Sequence, residues 1–532
     1  MAGDWILAID QGNGGPKVAA IGADGEILAQ SLRGVAVTIE PDGTATQDAA
    51  EWIEAVVAAV RDVTAVVPGE ALHAVAITGQ WGSSVPVDAE GEPVGPVLLW
   101  ADTRAKDYVQ PIVSGPVAVA GYAPQKVLGW LKRTGGAPSV AGDDPTGHWQ
   151  LLQHDLADVG RRTAYLLEPV DYLAFRLTGV VAATPASMIL SWLTDNRPGA
   201  PVGYVAELVG KARRDPATLP PLRPTGSVQG PLTETMAARL GTRAGVPVIT
   251  GIPDFHAAAV GSGAVEPFQS HFAISTTGWF SAPVPFKKTD IIHTIATVPG
   301  LTPDLPLVIN NLDTAGAALS WLREQIIAPH DGLQGGGSGI GADGAADPRL
   351  PPSFDELTEL AAGVPAGCEG LLFAPWLTGE HSPVADKNIR GTWLNLSLRT
   401  TRAALVRSVM EGVAFNARWL FGYYQKFLGQ PVEVIRILGG GAQSDLWCQI
   451  MADVLNVPME RIADPRQAQL RGMALWAQVC LGECTLAEAA AQVPIDRTFT
   501  PNPAHRAEYD RLYAEYRKLY KTLKGSYRRL NG

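Results

Sequence analysis

The chain has 532 residues, 46% of them hydrophobic, and a formal net charge of −11. That length exceeds what one hydrophobic core organises and predicts two large domains. The acidity excludes a concentrated basic footprint for nucleic acid, although inward-turned backbone N–H groups and a metal can still bind phosphate locally in an acidic protein.

The chain opens with no basic-then-apolar leader, and no apolar run reaches about 18 residues. A cytoplasmic protein without membrane contact is therefore expected. Trp5–Asp10 predicts a strand, and Val18–Gly22 and Glu26–Leu32 predict two more, joined by a turn at Ala23-Asp-Gly25. Ala49–Val66 has helical spacing, and Leu72–Thr78 and Val85–Asp88 read as short strands. This alternation predicts an α/β architecture. Arg213–Gly226 is rich in Pro and polar residues and reads as a loop. Val248–Gly251 is a short apolar strand before Pro253-Asp254, and Ser270–Ser275 is another, running into Thr276-Thr-Gly278. Twice, then, a strand enters a loop of small and hydroxyl residues, a weak repeat that suggests two related halves facing each other across a cleft. The glycine-rich stretch near 330–348 reads as a mobile insert. Arg402–Phe421 predicts an amphipathic helix, Val434–Leu438 a strand, and Leu446–Leu455 a further helix. Cys368, Cys448, Cys480 and Cys484 are too few and too scattered for a disulfide framework, and the last two read as buried free thiols. Tyr509, Leu512, Tyr513, Tyr516, Tyr520 and Leu523 recur at helical spacing, the face of a helix docked on a domain with tyrosine tips reaching polar partners.

Four short stretches could carry chemistry. In Asp10-Gln-Gly-Asn-Gly-Gly-Pro-Lys17 a carboxylate ends a strand and glycines follow. Such a loop lets backbone N–H groups approach a phosphate, and the carboxylate suits a divalent cation. It lacks the Walker spacing, and on its own a structural glycine hairpin explains it better. Gly439-Gly-Gly-Ala-Gln-Ser444 lies between a strand and a helix, an arrangement suited to an anion or nucleotide or simply to a tight connection. Asp254 ends a strand before a run of small residues, and serves either as a base facing a cleft or as a helix N-cap; His256 beside it reads as structural. Thr78-Gly-Gln-Trp-Gly82 and Leu99-Trp-Ala-Asp-Thr-Arg104 are two further strand ends with amide, aromatic, carboxylate and guanidinium groups, a mix suited to a polyhydroxylated ligand, or to core packing and an ion pair.

The order of these pieces resembles the FGGY family of carbohydrate kinases over nearly the whole chain. The resemblance runs through "DQGNGGPK", "ITGQWGSSVPVDAEGEPVGPVLLWADTRA", "YLAFRLTG", "IPDFHAAAVGSGA", "GLLFAPWLTGEHSPVADKNIRG", "RSVMEGVAFNAR" and "ILGGGAQSDLWCQIMADVLNVP". It implies two actin-like (ribonuclease H-type) domains across a deep cleft, residues 1–255 holding mainly a sugar and 256–532 mainly ATP. Asp254 would be the general base and Asp10 would hold Mg2+. Gly12, Asn13, Lys17 and Thr276 would sit by the transferred phosphate. Gly439, Gly440, Gly441 and Ser444 would form the adenine-nucleotide loop, and Gln80, Trp81, Asp102 and Arg104 would contact sugar. Family members are often dimers, which makes a homodimer an expectation that no residue here carries.

Some positions depart from the family pattern. Asn13 stands for a usual threonine, with Pro16 close behind. Ser275 and Asn395 stand for usual glycines, and Arg471 lies where small residues are typical. Asn13 and Ser275 keep hydrogen-bonding side chains, so activity is expected. The first loop looks most like xylulokinases, yet Trp81-Gly82 replaces their Met-His pair, and the Arg-Glu pair of glycerol kinases is absent. A ketopentose such as xylulose is the expected substrate, ahead of another ketose or a polyol. A sugar- or nucleotide-sensing pseudokinase and a polymerising or chaperone-type ATPase are the competing readings.

Overall fold

Trp5–Gly12 (β1) and Gly15–Gly22 (β2) form an antiparallel hairpin, and Ile27–Leu32 (β3) continues it. The computed structural model describes residues 4–119, 121–328 and 351–532, with the backbone of 339–340 and 346–347. The glycine-rich stretch near 330–348 therefore lies outside the described residues, apart from a short ladder between those two backbone pairs.

Ala49–Thr64 (α1) covers the hairpin and leads to Leu72–Gly79 (β4), which pairs parallel with β1. The "YLAFRLTG" segment falls in Pro169–Thr178 and the glycine that ends this helix (α2). Val228–Pro231 (β5), Pro247–Ile249 (β6) and Ile252–Pro253 (β7) complete the first sheet, in the order β5-β6-β4-β1-β2-β3 with β7 on the end of β4. Asp254–Ser262 (α3) then leads to a second hairpin, Ser270–Ile274 (β8) and Gly278–Ser281 (β9). After the long helix Arg402–Leu428 (α4), Ile435–Leu438 (β10) pairs parallel with β8. Asp445–Leu455 (α5), Met459–Ile462 (β11), Ala468–Cys480 (α6) and Ile495–Phe499 (β12) follow, and the second sheet runs β9-β8-β10-β11-β12. Each sheet thus repeats one plan. A hairpin contributes its first strand to a parallel pair (β1 with β4, β8 with β10), a second parallel strand joins, and an antiparallel strand follows. The two-halves reading of the sequence rests on this duplication.

The two halves meet through α3 and α6. One buried cluster contains Ala8 and Ala76 from the first sheet, Ala273 and Leu438 from the second, and Ala257, Val260, Met473 and Ala474 from these helices. The helices cross at glycines. A Cβ on Gly472 would stand 2.1 Å from the Ala257 carbonyl oxygen, and one on Gly261 would stand 1.8 Å from that of Ala468. Backbone cannot yield as a side-chain tip can. Gly472→Ala is therefore expected to push the helices apart and cost about 1–3 kcal/mol, read as a lower urea midpoint; an unchanged midpoint would show that the crossing tolerates a methyl. Arg471, the unusual residue beside Gly472, is buried and donates to Ala463 O at 2.6 Å, tying α6 to the segment after β11.

Two expectations need correction. Helix α4 extends to Leu428 and is not amphipathic: every residue from Val406 to Ala417 is buried, because strands and helices surround it. Its polar residues are satisfied internally, with Arg407 donating to Glu411 at 2.8 Å and Asn416 receiving the Tyr516 hydroxyl at 3.1 Å. Cys480 and Cys484 are free, as expected, but half-buried rather than buried. The terminal helix Arg506–Asn531 (α7) docks as its tyrosine spacing predicts, with the Tyr509 hydroxyl donating to Glu411 at 2.9 Å. Among the described residues no helix is long and apolar enough to cross a membrane.

Candidate functional site

Parallel strands place ligands at their carboxyl ends, and the first sheet gathers its candidates there. Asp10 on β1 is level with Thr78 on β4, and Pro253 on β7 is level with Gly79. Asp10, Gln80 and Asp254 therefore share one end of the sheet. The Gln80 N–H donates to the Gln11 carbonyl at 2.8 Å, which locks the two strand ends together.

Across the first hairpin Asp10 is the ladder partner of Lys17, and Lys17 Nζ lies 3.9 Å from Asp10 Oδ2. This loose pair leaves the ammonium free to turn to another anion. Gly15 closes the turn at φ +118, and a Cβ there would stand 2.1 Å from the Arg33 carbonyl oxygen. Only glycine fits. Asn13 at the exposed tip is held on two sides: Gln47 Nε2 donates to its carbonyl at 2.8 Å and Trp100 Nε1 to its Oδ1 at 3.1 Å. The departure at Asn13 is thus matched by a local partner.

Asp254 is the first residue of α3, with Pro253 at the N-cap position, so it does not serve as the N-cap. Burial, reinforced by the Asp10 carboxylate, pushes its pKa up to about 7, partly offset by the Phe255 N–H. Burial likewise raises Asp10, with Lys17 opposing. Two carboxylates that raise each other's cost of ionisation make a place for a cation. Among the described residues no three His, Cys, Asp or Glu side chains converge. The donor set therefore fits Mg2+, which typically takes one or two carboxylates plus substrate phosphates, rather than a metal caged by protein alone.

Gln80 is buried, and its Nε2 has no hydrogen-bond partner. Such a group fits a ligand oxygen. Trp81 packs at 4.9 Å on Phe255, within a cluster that also contains Ile189, Val298 and Leu307. Asp102 is fully buried and Arg104 grips it, with Nη2 to Oδ2 at 2.6 Å and Nε to Oδ1 at 3.0 Å. Two of the five guanidinium N–H donors are spent there. His256 is buried and bonded to the Pro299 carbonyl at 2.8 Å, which fits its structural reading.

The second sheet presents its loops side by side. Ala273 on β8 is level with Leu438 on β10, so Ser275–Thr277 abuts Gly439–Gln443. Gly439 has φ +92, and a Cβ there would stand 2.5 Å from the Ile274 carbonyl oxygen. Gly440 faces open space, with nothing within 4 Å of a Cβ. Thr276 is exposed, and Ser275 Oγ donates to the Thr277 carbonyl at 3.2 Å inside the loop. Ser444 caps α5, accepting from the Trp447 N–H at 3.2 Å and the Thr358 hydroxyl at 3.2 Å, which assigns its oxygen to the helix end.

Residues 5–134 match the N-terminal domain of the FGGY family of carbohydrate kinases, and residues 282–481 match its C-terminal domain. The chain belongs to the FGGY family. It is an ATP-dependent sugar kinase. A xylulose kinase of Staphylococcus epidermidis is 25% identical over 529 residues, covering 98% of each chain. An erythritol kinase of Brucella abortus is 27% identical over 97% of this chain and 96% of that protein. The ligand-bound xylulose kinase of Lactobacillus acidophilus shares the fold, with a TM-score of 0.82 at 22% identity over 99% of this chain and 100% of that one.

Within the Leu99–Arg104 stretch of this FGGY kinase, sequence reasoning gives Trp100 no role of its own. Trp100 is 47% exposed, and it joins two candidate loops: its indole reaches Asn13, and its N–H donates to Ser83 Oγ at 3.2 Å. A signal is present, since Trp100 stands two residues before Asp102, but its partner lies 87 residues away.

Proposed function

We propose that this kinase phosphorylates a ketopentose such as xylulose, with Asp254 taking the proton from the attacking hydroxyl. The observation that carries the reading is the Asp254 carboxyl, held near pKa 7 beside Asp10 at the strand ends that also present Gln80. A base poised near neutral pH accepts a proton readily and stays largely ionised above it. In-line phosphoryl transfer asks the protein mainly for positioning and charge neutralisation.

In this reading residues 1–255 carry mainly the sugar and 256–532 mainly ATP. Gln80, with its unpaired amide, Trp81, Trp100, Asp102 and the remaining donors of Arg104 line the sugar. Lys17 and the Gly12–Asn13 turn meet the transferred phosphate from one side, and Thr276 from the other. Gly439, Gly440 and Gly441 lie along the nucleotide, Gly440 offering the open approach; Ser444 supports them by capping the start of α5. Asp10, together with the phosphates, would hold Mg2+, which supplies charge neutralisation on the phosphate oxygens when bound.

The pentose assignment is supported by the xylulose kinase of S. epidermidis, similar over nearly its full length. The erythritol kinase, similar over almost the same span, favours a second reading in which the acceptor is a polyol. ADP release from ATP and Mg2+ against ketopentoses, ketohexoses and polyols separates the two. Xylulose is expected to give the highest kcat/KM. A polyol in that place overturns the pentose assignment and leaves the base assignment to be tested separately.

A further inference from the structure

The Gln80–Ser84 loop is held at several points by remote parts of the chain, including a buried bond of 2.9 Å between Ser84 Oγ and His148 Nδ1. Gln80 N–H bonds to Gln11, Ser83 Oγ donates to Gln80 Oε1 at 3.3 Å, and Ser84 ladders with Leu98. Its crest, Gly82, has φ +80, and its N–H donates to a carboxyl oxygen, Glu168 Oε2, at 2.9 Å in a buried bond.

Glu168 occupies the N-cap position of α2, where a polar side chain ordinarily turns back to cap its own helix. It makes no such bond. The carboxyl reaches away to Gly82 instead, although the residue is 3% exposed and its Oε1 has no hydrogen-bond partner. Asp171, one turn along α2, is fully buried, and burial raises its pKa well above the usual carboxylate range against a hydrogen bond with Ser187. A buried acid kept in such surroundings is costly and not explained by packing. Burial, then the neighbouring Asp171, holds Glu168 well above the usual carboxylate range. Glutamine is a close isostere that keeps an acceptor oxygen in the same place.

We infer that Glu168 is a positioning residue for sugar binding: its carboxyl oxygen fixes the Gly82 N–H and, through it, the placement of Gln80 and Trp81. The inference rests on the reading that this loop contacts the sugar.

The test compares KM for sugar and KM for ATP in Glu168→Met, Glu168→Gln and Glu168→Asn, with Gln80→Ala as a control on the loop. Methionine fills the space without an acceptor and is expected to raise the sugar KM about tenfold, the order expected for stranding a buried donor. The ATP KM should stay within twofold. Glutamine keeps an acceptor in reach and should restore the sugar KM to within about twofold of wild type. Asparagine keeps the amide but withdraws it by a methylene. It should behave like methionine, and it replaces that variant if methionine does not fold. A glutamine variant as defective as methionine, or a methionine variant that raises both KM values together with a lower melting midpoint, overturns the inference and leaves a structural role. If Gln80→Ala raises the sugar KM and Glu168→Met does not, the inference fails while the loop reading stands. If Gln80→Ala leaves the sugar KM unmoved, the loop reading fails, and the inference with it.

Discussion

Asp254→Asn is expected to lower sugar-dependent ADP release by about 10²–10⁴-fold, the usual contribution of a positioned general base, with the KM for ATP little changed. Asparagine keeps the shape at the start of α3 but cannot accept the proton. The same substitution should alter stability in the opposite sense. Asp254 in the folded protein has a pKa of about 7, against 3.8 as its ordinary value. Between these values the folded state holds a proton that the unfolded state has released. Its stability contribution is full below about pH 4, declines as pH rises toward 7, and is lost above that. The substituted amide cannot ionise, so the variant should lack that decline and melt higher than wild type at pH 8 when both are metal-free. Residual activity should also lose the acidic limb expected in wild-type kcat/KM from titration of Asp254. A variant with wild-type turnover removes Asp254 from the base role, whatever its melting behaviour.

The strand-then-glycine pattern at Asp10–Lys17 is legible because all its determinants are local: apolar alternation, a turn that needs Gly15, and a ladder that sets Lys17 opposite Asp10. The same holds for the strand that runs into Ser275–Gly278 and for the tyrosine face of α7. Readings that depend on remote surroundings fare differently. Helix α4 looks amphipathic over Arg402–Phe421 because Arg407, Glu411 and Asn416 are polar, yet each is buried against a partner from elsewhere in the chain or the same helix. Trp100 and Glu168 act on loops 87 and 86 residues away, and no periodicity announces such a contact. Ser444 reads as a nucleotide contact because it follows three glycines; that its oxygen also caps the start of α5 depends on the helix beyond it. Local chemistry can be read from spacing; which side chain supports it from afar is set by how the two sheets and their connecting helices pack.

Asp10→Asn should be nearly as damaging as the loss of the base, but for a different reason, and the difference can be measured. Asp10 and Asp254 repel: each is raised by burial, and the Asp10 charge adds to the rise at Asp254. Removing the Asp10 charge should let the Asp254 pKa fall, so the decline in metal-free stability with rising pH should end earlier than in wild type. The base is then more fully ionised near neutral pH, and on base strength alone the reaction would not suffer. A fall of about 10²–10³-fold in turnover is nevertheless expected, since charge on the transferring phosphate is no longer neutralised at this position. Raising the Mg2+ concentration should recover part of the rate in Asp10→Asn and none in Asp254→Asn, because only the former loses affinity for a cation rather than a proton acceptor. Equal insensitivity of both variants to Mg2+ would detach Asp10 from the metal, and its carboxylate would then be an electrostatic neighbour that holds Asp254 near neutrality.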